Sequence, residues 1–182
     1  VTAVCGVGKN GADGVSAGIV LADRGVSVRI FTVGDMPCEE TRKLLEIADS
    51  SGIEIRPFES GYMIYDDVVL DCVFGIGLSR EVEGIYLDAI RAINDSGARI
   101  ISADIPSGLH ADRGEKLGEC VRADVTVSFS GKKVGYYLLD GIDSVGEIIF
   151  ADTGINPDTR VRDITDEEVK KITEAIETLS VM

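Results

Sequence analysis

The sequence predicts an α/β fold, with a mostly parallel, doubly wound sheet and helices on both faces. Segments rich in valine and isoleucine recur along the chain and are apolar throughout, as in parallel strands covered on both sides. Amphipathic helical patterns alternate with these segments, which is the order of right-handed β-α-β units. The length of 182 residues, with 45% hydrophobic residues and 21 glycines, suits a domain with glycine-bearing turns.

The strands and helices can be assigned in chain order. The principal strands are predicted at 1–5, 26–33, 68–75, 98–105, 124–129 and 146–152, with a shorter one at 52–58. Helices are predicted at 14–25, 38–52 and 83–97, each ending on a glycine that can stop a helix. The segment 106–123 has no periodic pattern, which predicts a functional loop. We expect a domain over 1–156 and a helical tail or linker over 157–182, because 163–179 has a polar amphipathic pattern.

Charge and cysteine content exclude several classes of protein. The formal net charge of -14 disfavours binding to nucleic acid or to an anionic membrane surface. Four cysteines without a C-x-x-C pair argue against a disulfide framework or a zinc site. No apolar run is long enough to span a bilayer, so a soluble, cytoplasmic protein is expected. Because the chain begins with Val1, we expect it to be a processed or trimmed piece.

A glycine-rich stretch follows the first predicted strand. Gly6, Gly8 and Gly11 form a G-x-G-x-x-G pattern, in which backbone N–H groups can approach a ligand at the start of a helix. A dinucleotide fold also needs an acidic residue at the end of the second strand, but Asp35 comes late. Asp13 would repel a phosphate. The stretch is therefore weak evidence for a dinucleotide site, and a tight turn with exposed polar residues is the alternative.

Three later strand ends also carry unusual polar residues. Asp71 lies in an apolar strand, where a carboxylate is costly unless it is paired or binds a cation, and the following loop offers Arg80 to a phosphate. Asp104 ends a buried strand and could act as a general acid or base. Lys133 could supply a cationic partner in the same crevice. The structural alternatives are a backbone cap for Asp71, an Asx-turn for Asp104 and a basic turn for Lys133.

These four segments, in this order, resemble the NAD(P)H-hydrate epimerase family (the YjeF N-terminal domain). The family pattern runs C-G-x-G-N-N-G-G-D-G, D-x-x-x-G-x-G, D-I-P-S-G-L-x-x-x-x-G and A-D-x-T-V-x-F-x-x-x-K. This chain has "CGVGKNGADG", "DCVFGIG", "DIPSGLHADRG" and "ADVTVSFSGKK". The resemblance covers about residues 4–155. It implies a Rossmann-like three-layer fold and an isomerase that interconverts the R and S forms of hydrated NADH or NADPH, NAD(P)HX, in cofactor repair.

The resemblance also implies a set of site residues. NAD(P)HX would be the substrate rather than a cofactor, and a potassium ion would be bound. Asn10, Asp71 and Ser107 would be the potassium ligands, and they offer the hard oxygens that suit such a cation. Asp104 would contact the reacting ring and act as acid and base, with Lys133 as its partner. The substrate-binding residues would be Lys9, Asn10, Gly11, Ala12, Asp13, Gly75, Ile76, Gly77, Leu78, Ser79, Arg80, Glu81 and Asp104.

The chain departs from the family pattern at two positions. Lys9 replaces the first asparagine, and Ala12 replaces a glycine, which is tolerable if its φ is negative. The Lys9 ammonium could contact a substrate phosphate, or it could occupy or repel the cation site. The expected partners are the small-molecule nucleotide, a fused or separate NAD(P)H-hydrate dehydratase and a second copy of the chain in a homodimer.

Two other functions remain open on the sequence alone. The first is a non-catalytic nucleotide-binding or dimerisation module of the same fold, which would leave a purified epimer unchanged. Asp104 and Lys133 argue against it. The second is an ordinary NAD(P) dehydrogenase, which would transfer a hydride. Against it stand the missing ribose-binding acid and the absence of an obvious proton relay.

Overall fold

The computed structural model describes residues 1–153, and every predicted strand is found there. The strands are β1 (Thr2–Gly6), β2 (Arg29–Val33), β3 (Glu54–Pro57), β4 (Val68–Cys72), β5 (Arg99–Ala103), β6 (Val125–Phe129) and β7 (Glu147–Ala151). The helices are α1 (Lys9–Asp23), α2 (Glu39–Ser50), α3 (Gly84–Asn94) and the short α4 (Gly141–Ser144), with a 3₁₀ turn at Val134–Tyr137.

The strands form one seven-stranded sheet in the order β3-β2-β1-β4-β5-β6-β7. All the pairs in this sheet are parallel, which confirms the predicted α/β fold class. The chain builds outward from β1 through β2 to β3, and then crosses to β4 on the other side of β1. The carboxyl ends of β1 and β4 therefore flank the topological switch point, where open α/β sheets bind their ligands.

Helices cover both faces of the sheet, as the sequence predicts. On one face, Val15 of α1 and Ala48 of α2 pack with Ala3 and Cys5 of β1. On the other face, α3 contributes Ala89, Ile90 and Ile93 to a cluster that includes Val4 and Phe31. The alternation of Ala3, Val4 and Cys5 between the two clusters follows from the period of two along a strand.

Helix α1 begins earlier than the sequence predicts. It starts at Lys9 instead of at residue 14, so the stretch from Lys9 to Asp13 forms the first turns of a helix rather than a loop. Glycine is a poor helix former, which is why the pattern indicates a loop. Packing explains the difference, because a Cβ at Gly11 would lie 1.8 Å from the carbonyl oxygen of Gly6. Only a helix without a side chain there can sit this close to the end of β1.

The end of β4 and the loop after β5 determine which residues surround the switch point. Strand β4 ends at Cys72, so Val73 and the glycines after it belong to the connection to α3. The predicted loop 106–123 has no helix or strand apart from a bridge between Leu109 and Lys116. Leu109, Ala111 and Cys120 of this loop pack in a separate cluster with Ile105 and Tyr136, whereas its last apolar residues join the cluster of Val4 and Phe31.

The end of the domain at 156 and the tail 157–182, with its amphipathic pattern at 163–179, lie outside the described residues and stay predictions. No helix in residues 1–153 combines the length and the apolar character needed to cross a membrane.

Candidate functional site

A cleft of about 500 Å³ lies at the switch point. It contains most of the residues predicted to bind substrate. Gly11 and Ala12 do not line it, because they are on the buried side of the first turns of α1, and Glu81 is not among the lining residues either. Ala12 has no positive φ, so its replacement of a glycine is tolerated. The lining residues are Val7, Gly8, Lys9, Asn10, Asp13, Val73, Phe74, Gly75, Ile76, Gly77, Leu78, Ser79, Arg80 and Asp104.

The three predicted potassium ligands are connected beneath this cleft through the backbone of Phe74. The Asn10 amide Nδ2 donates a hydrogen bond to the Phe74 carbonyl oxygen at 2.9 Å. The Phe74 N–H donates to the Ser107 hydroxyl at 2.8 Å, and that hydroxyl donates to Asp71 Oδ1 at 2.6 Å. Asn10, Asp71 and Ser107 therefore share one hydrogen-bonded network, although they come from α1, β4 and the loop after β5.

Asp71 is the buried charge of this network. It is fully inaccessible to solvent, and no ion pair to it is found within residues 1–153. Its Oδ2 accepts hydrogen bonds from the Ser102 hydroxyl at 2.7 Å and from the Ser107 N–H at 2.9 Å. Burial raises the pKa of Asp71, and the hydrogen bonds from Ser107 and Ser102 partly oppose that effect. A buried carboxylate beside amide, hydroxyl and carbonyl oxygens is chemically suited to a hard cation.

Asp104 follows β5 with an unusual backbone conformation. Its φ of 67° lies in the left-handed region, which aspartate and asparagine tolerate better than most residues. The Lys133 ammonium donates a short hydrogen bond to Asp104 Oδ1, and the Phe129 N–H donates to the same oxygen at 3.3 Å. The side chains of Lys133 and Asp104 are only 12% and 14% exposed. The predicted pairing of these two residues is therefore present in the structure.

Tyr136 and Ser128 support this pair, although neither residue is predicted from the sequence. The Tyr136 hydroxyl donates a short hydrogen bond to the Asp104 carbonyl oxygen and lies 3.1 Å from the Ser128 hydroxyl. Burial raises the pKa of Tyr136, so it remains a proton donor at neutral pH. Lys133 also donates to the Phe129 carbonyl oxygen at 3.0 Å. A polar Ser128 in an apolar strand was the one available signal for this arrangement.

Ser102 and Phe74 also belong to the site and are likewise not predicted from the sequence. Ser102 is paired in register with Asp71 across β4 and β5, and its position two residues before Asp104 could have indicated it. The contribution of Phe74 comes from its backbone and leaves no signal in the sequence.

Asp104 stands at the junction of two clefts. The second cleft, of about 460 Å³, is lined by Lys133 and the turn after β6, and it shares Ile76 and Asp104 with the first. Asp104 also shares the first cleft with the acidic side chain of Asp13 on α1. Asp13 is exposed to solvent, and partial desolvation by the surrounding protein, together with the negative charge of Asp104, raises its pKa. A molecule that enters from either cleft can therefore reach the Asp104 carboxylate.

The positive groups of the first cleft lie at its outer rim. Lys9 is exposed at the first residue of α1, and Arg80 is exposed on the opposite loop. Lys9 forms no hydrogen bond or ion pair with Asn10, Asp71 or Ser107 in the described part of the chain. The N-terminus of a long helix favours anions, so Lys9 adds to a positive field that points at the cleft. The cleft thus combines the exposed cations Lys9 and Arg80 and the exposed carboxyl group of Asp13 with the partly buried carboxylate of Asp104.

Known proteins match the chain over most of this region. The family model described as "YjeF-related protein N-terminus" matches residues 1–135. The chain is 40% identical over 154 residues to the bifunctional NAD(P)H-hydrate repair enzyme Nnr of Thermofilum pendens, which covers 80% of this chain but only 29% of that protein. It is 35% identical over 163 residues to the NAD(P)H-hydrate epimerase of Levilactobacillus brevis, which covers 88% of this chain and 75% of that protein.

The fold also occurs in a solved structure, that of the yeast protein ynu0 (YNL200c). The TM-score is 0.67 and the sequence identity 19%, over 87% of this chain and 67% of the yeast chain. The family match spans β1 to the turn after β6, the same segment that builds both clefts and the buried network. The chain therefore belongs to the family of YjeF-related protein N-termini.

Proposed function

We propose that this chain is an NAD(P)H-hydrate epimerase, which interconverts the R and S forms of NAD(P)HX. The observation that carries the proposal is the Asp104 carboxylate, held by Lys133 where two clefts meet. Relatives named NAD(P)H-hydrate epimerase align with most of the chain and support the assignment. Inverting a hydroxyl needs a positioned proton donor and acceptor, and it does not need a hydride acceptor.

The charges of the first cleft suggest how the nucleotide binds. Lys9, Arg80 and the N-terminus of α1 would receive the phosphates at the rim. The hydrated ring would then extend inward past Gly75 and Gly77 to Asp104. The glycines leave room for the ring, because a Cβ on Gly77 would meet nothing within 4 Å and the nearest atoms to one on Gly75 would be those of Asn10, at 3.5 Å.

Asp104 would act on the ring hydroxyl in this pose. Its carboxyl group protonates the leaving hydroxyl, the C–O bond breaks, and a water molecule adds to the other face of the ring. Lys133 fixes the orientation of the carboxylate through Oδ1, which leaves Oδ2 available to the substrate. Tyr136 holds the backbone of Asp104 in its left-handed conformation.

Asn10, Asp71 and Ser107 would hold the potassium ion. The residues fit such an ion because Asp71 is a buried carboxylate without a cationic partner in the described residues, and its neighbours offer hard oxygens. When bound, the ion supplies a positive charge that balances Asp71. The protein groups then keep the Phe74 backbone, and with it the start of the Gly75 loop, in place beside the substrate.

The partners follow from the same assignment. We propose that the chain works with an NAD(P)H-hydrate dehydratase, fused or separate, since the name of the Thermofilum relative describes a bifunctional enzyme. A cytoplasmic location and a homodimer complete the proposal.

Conversion of a single epimer tests the function. Purified protein is mixed with one NAD(P)HX epimer, and the two forms are followed by NMR against buffer alone. We expect equilibration by the wild-type chain and its loss in Asp104→Ala. Asp104→Asn is the better-matched variant, because asparagine tolerates the positive φ. An unchanged epimer would indicate a binding module, and wild-type rates in both variants would contradict the role of Asp104.

A further inference from the structure

The proposed epimerisation needs proton transfer on both faces of the ring, whereas Asp104 is a single carboxyl group. We propose that Asp13 is the second proton-transfer residue, acting on the ring face opposite Asp104. This inference rests on the proposed function, and it assigns to Asp13 a catalytic step beyond the substrate contact expected above.

The packing of α1 brings Asp13 to the site. Helix α1 lies against β1, β4 and β5, and Asp104 directly follows β5. Next to Asp13, a Cβ on Gly14 would lie 2.6 Å from Cβ of Cys72 and 2.8 Å from Sγ of Cys5. The absence of a side chain at Gly14 therefore lets this turn of α1 rest directly on the strand ends. Asp13 and Asp104 consequently line the same cleft from two different elements.

The two carboxyl groups have different surroundings. Asp104 is paired with Lys133, whereas Asp13 forms no ion pair with any residue between 1 and 153. The cations that line the cleft with Asp13 are Lys9, one turn earlier on α1, and Arg80 on the loop after β4. Although Asp13 is exposed, its partial desolvation and the negative charge of Asp104 both favour a proton on it. Such a pair of unlike carboxyl groups suits a reaction that needs one acid and one base.

The step balances with water as the only other reactant. Asp13 gives its proton to the hydroxyl on its own face, and the C–O bond breaks. A water molecule departs, and the ring is left with a positive charge. A second water attacks the same carbon from the face of Asp104, forms the new C–O bond and passes a proton to the Asp104 carboxylate. The hydroxyl is inverted and one proton has moved from Asp13 to Asp104. The opposite epimer reacts by the reverse sequence, which restores both groups.

Oxygen exchange in water labelled with ¹⁸O distinguishes a mechanism with two proton-transfer residues from a mechanism with one. In Asp13→Asn, we expect kcat for inversion to fall about 100-fold or more, with KM within about twofold of the wild-type value. Asp104 would still release and return water on its own face. One epimer should therefore exchange its hydroxyl oxygen with solvent without inverting, while the other stays unlabelled. Asp104→Asn should show the complementary pattern. Asp23→Asn, at the exposed end of the same helix, is the matched control and should behave as the wild-type chain does.

Several results would overturn the inference. The inference fails if Asp13→Asn inverts the substrate with a kcat within threefold of the wild-type value. It also fails if the substitution changes only KM, or if neither epimer exchanges its hydroxyl oxygen with solvent in this variant. If the wild-type chain inverts the substrate, such results leave the proposed function intact. If the wild-type chain does not invert it, the proposed function fails and this inference falls with it.

Discussion

Ser107 binds both oxygens of the buried Asp71, with its hydroxyl 2.6 Å from Oδ1 and its backbone nitrogen 2.9 Å from Oδ2. The same hydroxyl accepts the N–H of Phe74, whose carbonyl oxygen holds Asn10. One carboxylate thus joins the end of β4, the loop after β5 and the start of α1. The protonation state of Asp71 therefore affects both the stability of the fold and the shape of the cleft above it.

The first prediction concerns the pH dependence of stability in potassium-free buffer. Burial raises the pKa of Asp71 above its ordinary value of 3.8, so the folded state keeps a proton that the unfolded chain releases. The resulting stabilisation is complete below about pH 4 and is lost as the pH rises through the folded pKa. In Asp71→Asn this loss should disappear. The difference in unfolding free energy between the two proteins should change by up to about 1.4 kcal/mol per pH unit.

Urea unfolding between pH 4 and pH 8 measures this difference. Asp13 also has a raised pKa and acts in the same direction, but it is present in both proteins and cancels in the comparison. Parallel pH profiles for the wild-type chain and Asp71→Asn would contradict the prediction.

The second prediction concerns potassium. If the ion binds at Asp71, replacing choline chloride by KCl at constant ionic strength should raise the melting temperature of the wild-type chain. An ion concentration about 100-fold above Kd adds roughly 2.7 kcal/mol. Asp71→Asn should lose this response because the balancing charge is gone. Equal responses in both proteins, measured by thermal melts, would place any ion effect elsewhere.

The sequence predicts the fold well because buried parallel strands and glycine-ended helices leave strong patterns. It also brings Asn10, Asp71 and Ser107 to one place, since all three lie near the carboxyl ends of strands in a doubly wound sheet. The start of α1 was missed because its glycines are selected by contact with β1 and β4, and that contact is tertiary. Local helix propensity opposes the outcome at these positions.

The residues that hold Asp104 and Asp71 in place are harder to predict from the sequence, for a different reason. Tyr136 acts on the backbone of Asp104 and Phe74 acts through its own backbone, so neither shows a chemical signature in the sequence. The positive φ of Asp104 is likewise invisible until the loop is built. These features depend on tertiary contacts between segments that are distant in the sequence.

The third prediction concerns Lys133. Lys133→Met removes the cation from Asp104 and leaves the Phe129 carbonyl oxygen without this donor. We expect a stability loss of about 1–3 kcal/mol, as for a buried group that loses its partner. The kcat for epimer inversion should fall more than tenfold, because Asp104 loses its orientation. Lys116→Met, which breaks a half-exposed pair with Asp140, is the matched control and should change neither quantity appreciably.

The fourth prediction concerns Lys9, where the family pattern has asparagine. Lys9→Asn should raise KM about twofold to fivefold, because an exposed charge pair with a phosphate contributes about 0.5–1 kcal/mol. The effect should shrink as the salt concentration rises. Lys43→Asn, on the exposed face of α2, is the control. A lower response to potassium in the wild-type chain than in Lys9→Asn would instead show that Lys9 opposes the cation.

The fifth prediction tests the contact that sets the start of α1. In an exposed helix, replacing glycine by alanine stabilises by about 1 kcal/mol. In Gly11→Ala the sign should reverse, because the new Cβ would lie 1.8 Å from the Gly6 carbonyl oxygen and the helix must move away from β1. We expect a loss of roughly 1–3 kcal/mol in the free energy of unfolding, the usual effect of overpacking, together with weaker substrate binding as Asn10 and Asp13 shift.

Gly8→Ala is the matched control, since its Cβ would meet nothing within 4 Å and its φ is -90°. It should cost less than about 1 kcal/mol as a poorer N-cap. Equal losses in the two variants, measured by urea unfolding, would show that helix propensity rather than the contact with Gly6 governs this segment.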